Sequence, residues 1–73
     1  MTIAQAQNSL RHYRSKRAKA QENINYWLKN DPEATTQLRY YGQRKYDAEV
    51  MIEKRMEAIV YLRSEEYKER MNK

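Results

Sequence analysis

Apolar side chains recur along this chain in alternating steps of three and four. From Ile3 the repeat passes through Ala6, Leu10, Tyr13, Arg17, Ala20 and Ile24 to Trp27. Such steps keep one side of an α-helix apolar and form the seam of a packed helix pair. A second repeat runs through Leu38, Tyr41, Lys45, Ala48, Ile52, Arg55, Ile59 and Leu62. It is the weaker seam, with Lys45 and Arg55 charged where the first has only Arg17.

Local signals bound both repeats. Thr2 with Gln5 has the form of a capping box, which ties down free N–H groups at a helix start. Lys29 suits a last helical turn, and Asn30 can take the left-handed conformation that ends a helix. Asp31 can cap the next helix, with Pro32 at its first position and Glu33 against the positive end of its dipole. A stop followed at once by a start folds the chain back on itself.

The predicted fold is all-α, an antiparallel, coiled-coil-like two-helix hairpin in a single domain over residues 1–73. Helix 1 is expected over about 3–29, the turn at about 30–31 and a long helix 2 over about 32–70. At about 1.5 Å per residue the helices are about 42 and 60 Å long, so residues beyond Leu62 overhang the hairpin or fray. Folding the seams together pairs residues whose numbers sum to about 65, such as Trp27 with Leu38, Tyr13 with Ile52 and Ile3 with Leu62. Lys45 then faces Ala20, Arg17 faces Ala48 and Arg55 faces Leu10, each stem lying along the seam with its charge outward. Arg14 and Glu49 are expected as a surface ion pair. Gly42 has two readings: a close-packing point beside Ile24 and Gln21, or a bend or break in helix 2.

A two-helix hairpin buries one stripe per helix, and small domains usually need more. Helix 2 carries a second stripe at heptad spacing: Tyr46, Val50, Glu53, Glu57, Val60, Ser64, Tyr67 and Met71. That excess predicts self-association, most simply a homodimer of hairpins forming a four-helix bundle, with a foreign partner on the same stripe as the rival.

Composition narrows the class. One glycine and one proline in 73 residues leave few turns and favour long helices. Without cysteine there is no disulfide, thiolate metal site or thiol nucleophile. No apolar run approaches the roughly 20 residues of a membrane span, so a cytoplasmic protein without membrane contact is expected.

The net charge of +5 is unevenly placed. Residues 1–31 carry six Lys/Arg against two acids, and residues 32–73 nine against eight. The run from Arg11 to Lys19 has five cations and no acid. It reads either as a solvated face, partly neutralised by Asp47, Glu49 and Glu53, or as a phosphate-contacting surface of Arg11, Arg14, Lys16 and Lys19. A second cluster, Arg39, Tyr40, Arg44 and Tyr46, combines contact area with polar handles as interaction hot spots do. With Val60 and Tyr67 of the outer stripe it forms the expected protein-binding surface.

Catalysis is not expected. His12 is the only histidine and stands on the outer face, no glycine-rich phosphate loop is present, and Ser9, Ser15 and Ser64 lack an activating base. Glu49, Glu53 and Glu57 read as a salt-bridge ladder with Lys45, Lys54 and Arg55 and not as metal ligands. No metal, cofactor or small-molecule substrate is therefore anticipated. The sequence points to a non-catalytic binding protein (an adaptor, an inhibitor or a subunit of an assembly) that docks a Tyr/Arg-rich helical surface on a protein partner. The alternative is a sequence-independent nucleic-acid-binding protein using the basic face of helix 1.

Overall fold

The structure, a computed structural model, describes residues 1–71. It contains helix α1, Ile3–Asn30, and helix α2, Thr35–Met71, packed on each other as an antiparallel hairpin about 61 Å long. The predicted heptads account for the packing. All six buried residues, Ala6, Leu10, Ala20, Ala48, Ile52 and Ile59, lie on the two seams. Every other seam position is half-buried, the three cations included. Ala6, Leu10, Ile52 and Ile59 form one cluster, with Tyr13 packed against it.

The observed register is marked by a contact that the seam pattern alone does not show. The Arg55 guanidinium donates from Nε to Ser9 Oγ at 2.8 Å, in a half-buried position between the helices. Arg55 was expected beside Leu10; the neighbouring residue, Ser9, supplies its acceptor. These two numbers sum to 64, one short of the expected register, which is therefore essentially the observed one. A charge-assisted bond of this kind satisfies a guanidinium that would otherwise lose water without compensation.

The start of α1 is the predicted capping box. Thr2 Oγ1 accepts from the Gln5 N–H at 3.1 Å, and Gln5 Oε1 accepts from the Thr2 N–H at 2.9 Å. The turn differs from expectation. Asn30 is the last residue of α1, with no positive φ, and its side-chain amide donates to the Tyr26 carbonyl at 2.8 Å. Asp31 ends α1 in a non-helical conformation (φ −155°, ψ 81°), its N–H donating to the Trp27 carbonyl. It does not cap α2. Its carboxylate accepts from the Glu33 N–H at 3.3 Å and its carbonyl from the Ala34 N–H at 3.0 Å. Residues 31–34 thus make a β-turn, and α2 begins three residues later than predicted. The cause is Pro32, which disfavours helical backbone at the residue before it and suits the second position of a turn opened by Asp.

Helix α2 runs unbroken through Gly42, so the reading of three helices is corrected to two. Close packing is not why glycine stands there. A Cβ added to Gly42 would meet nothing within 4 Å, and its φ is not positive. Gly42→Ala is therefore expected to stabilise the protein by about 1 kcal/mol through helix propensity alone, or about 4–8 °C in thermal denaturation. An unchanged or lowered midpoint would mean that the glycine serves a contact outside this chain. The overhang beyond Leu62 is helical to Met71, supported by a Glu65–Lys68 pair at 3.6 Å. Residues 72–73 of the expected tail lie outside the described residues.

Candidate functional site: two flanks of the hairpin

Two parallel rods leave a groove along each flank of their seam, and the cations distribute between these flanks. On one flank Lys16, Lys19 and Asn23 of α1 face Tyr40, Tyr41 and Arg44 of α2 across an open groove. Here Arg44 Nη1 donates to the Tyr40 hydroxyl at 2.9 Å, and the guanidinium carbon lies 5.5 Å from the same ring's centroid. Tyr40 in turn sets its ring edge-to-face against Tyr41, centroids 5.0 Å apart. Because Tyr41 belongs to the seam and is half-buried, it anchors the exposed pair to the rigid part of the fold. The groove continues past Tyr13, with Lys16 Nζ 5.9 Å from its ring centroid, to Asp47, Ala48 and Met51.

No ion pair engages these cations among the described residues. Among the described residues the ion pairs are Lys45–Glu49 at 3.9 Å and Glu65–Lys68, and neither involves Lys16, Lys19 or Arg44. Asp47, at the groove's edge, accepts instead from the Gln43 amide at 2.9 Å.

The other flank is basic on α1, and on α2 it is apolar with Arg63 at one end and glutamates along an adjoining groove. Gln7, Arg11 and Arg14 face Met56, Val60 and Arg63. Met56 and Val60 also belong to an adjoining shallow groove on α2, with Glu49, Glu53 and Glu57 along it. Tyr46, Val60 and Tyr67, whole heptads apart, stand 61, 69 and 64% exposed in one row, and exposed Arg39 is one heptad before Tyr46.

Two groupings made from the sequence are thereby divided. Arg11 and Arg14 line one flank, Lys16 and Lys19 the other, because a five-cation run winds around a helix instead of tracking one face. The expected protein-binding set also splits, with Tyr40 and Arg44 beside the lysines and Arg39, Tyr46, Val60 and Tyr67 on the stripe. In exchange the fold joins clusters read separately: Lys16 and Lys19 of helix 1 meet Tyr40 and Arg44 of helix 2. The antiparallel register was sufficient to place them together.

Smaller expectations are also corrected. Arg14 and Glu49 do not pair, since Glu49 turns along its own helix to Lys45. The glutamate ladder forms only that rung among the described residues, Arg55 being engaged by Ser9 and Lys54 making no ion pair. His12 is exposed and rests edge-on against Tyr13, centroids 5.2 Å apart. No three His, Cys, Asp or Glu side chains come together as metal ligands among the described residues. No described helix is long and apolar enough to cross a membrane.

In comparisons with protein families, curated proteins and solved structures, the chain matches none.

Proposed function

We propose that this is a non-catalytic helical binding protein, acting in the cytoplasm, that docks on a protein partner through the Lys16–Lys19–Tyr40–Arg44 groove. The observation that carries the reading is the Tyr40–Arg44 pair, hydrogen-bonded, stacked and braced by Tyr41 while Tyr40 remains 54% exposed. A Tyr/Arg pair already held in place loses little side-chain entropy on binding, and these residue types dominate interface energetics. Lys16 and Lys19 give the groove a positive field, so the partner presents carboxylates there together with an apolar contact for Met51 and Ala48.

Nucleic acid is the second reading, favoured by the convergence of three cations and a tyrosine able to stack on bases. One feature weighs against it. Arg11 and Arg14 lie on the other flank, so no continuous phosphate track joins all the basic residues.

The test is capture from the native host on immobilised protein, with and without nuclease, beside the double variant Tyr40→Ala/Arg44→Ala. A protein retained after nuclease treatment by the wild type, and lost by the variant, is the expected result. Retention that disappears with nuclease transfers the function to nucleic acid, and equal capture by both proteins removes the groove from either role.

A further inference from the structure

The flank away from this groove carries a row whose spacing reads the same in both directions. Its positions, 46, 50, 53, 57, 60, 64, 67 and 71, are separated by steps of 4, 3, 4, 3, 4, 3 and 4. Turned end for end about a two-fold axis between Glu57 and Val60, the row meshes with itself at every place. Tyr46 then meets Met71, Val50 meets Tyr67, Glu53 meets Ser64 and Glu57 meets Val60. The end pairs are apolar, and apart from the half-buried Val50 these side chains are 61–67% exposed in the single hairpin.

The chemistry of the groove selects this direction. Glu49, Glu53 and Glu57 occupy its first half along α2, while Tyr61 and Ser64 occupy its second half. A parallel pairing in register would set Glu53 against Glu53 and Glu57 against Glu57, and like charges facing each other oppose association. The antiparallel pairing lays the hydroxyl half of each copy over the carboxylate half of the other. Ser64 stands level with Glu53 and the Tyr61 phenol level with Glu57, each able to donate to a carboxylate that lacks an ion-pair partner among the described residues.

We propose that the occupant of this flank is a second copy of the chain, paired antiparallel along α2 between Tyr46 and Met71. The isologous contact uses one patch on both copies and closes as a dimer. The Tyr40–Arg44 grooves stay open on the opposite flanks, so this pairing does not depend on what binds there.

Sedimentation equilibrium reads the proposal first. The wild type is expected at twice the chain mass of 8.9 kDa, and Val60→Glu at the single mass with unchanged helicity, because Val60 is 69% exposed and outside the hairpin core. Cysteine linking reads the direction, since the native chain has no cysteine. Glu53→Cys mixed with Ser64→Cys should give a disulfide-linked pair, since a parallel pairing would hold these exposed positions about 16 Å apart along the axis, whereas Tyr40→Cys mixed with itself should not. A wild type that stays at the single mass, a Val60→Glu variant that keeps the double mass, or linking through Tyr40→Cys as efficient as through the row overturns the proposal. The first of these results leaves the docking groove untouched, so the two readings fail separately.

Discussion

Ile52→Asp is expected to unfold the protein outright. Ile52 is 6% exposed and belongs to a cluster with Ala6, Leu10 and Ile59, against which Tyr13 packs. Truncating a buried isoleucine costs about 2–5 kcal/mol, and placing a carboxylate in the same apolar site adds the cost of desolvating it. A core this small rarely supplies more than about 3–5 kcal/mol in total, so one substitution consumes the whole margin. Far-UV circular dichroism should show the helical signal collapse, since helices separated from each other are only marginally stable in water. A cooperative melt close to that of the wild type would show that the seam is not what holds the helices.

Tyr40→Ala with Arg44→Ala should lower affinity for the proposed protein partner by at least about 100-fold, because each hot-spot truncation costs about 2 kcal/mol or more. The two residues are coupled through their hydrogen bond and stacking, so their separate losses will not add. Helicity should survive. Tyr40 is 54% exposed and Arg44 is exposed, and neither contributes to the buried cluster. Titration of the captured partner against both proteins checks the figure, and a loss below about threefold would mean that the binding energy resides elsewhere.

The seams were legible because heptad periodicity is a property of each helix alone. Every one of the sixteen predicted seam positions is buried or half-buried, and the capping box at Thr2 and Gln5 is formed as written. The junction was ambiguous for a physical reason. Asp followed by Pro serves equally as a cap with a first helical residue or as the first two residues of a β-turn. Backbone restriction by Pro32 on Asp31 decides for the turn. Gly42 could not be read either, since a glycine in a helix records a local cost and not what, if anything, compensates it.

The candidate site was legible in its residues but not in its grouping. Clusters contiguous in sequence wrap around a helix, so Arg11 and Arg14 part from Lys16 and Lys19, and Arg39 and Tyr46 part from Tyr40 and Arg44. Only the register between helices reassembles them; the seams predict that register to within one residue, and the Ser9–Arg55 bond falls within it. Side-chain competition decided the ion pairs in the same way, Lys45 being nearer to Glu49 along its helix than Arg14 is across the seam.

The two helices turn back on each other in this register, and both proposed binding surfaces depend on it. Spin labels at Ala4→Cys and Arg63→Cys, both exposed positions on otherwise cysteine-free chain, test it most directly. Labelled chain is diluted with unlabelled chain, so that only distances within one molecule are read. The hairpin places the labels within about 25 Å, an interhelical spacing of about 10 Å plus the label arms, while a straight helix would separate them by about 88 Å. A distribution centred below about 25 Å is the predicted result, and one centred beyond about 60 Å contradicts the fold and both binding surfaces built on it.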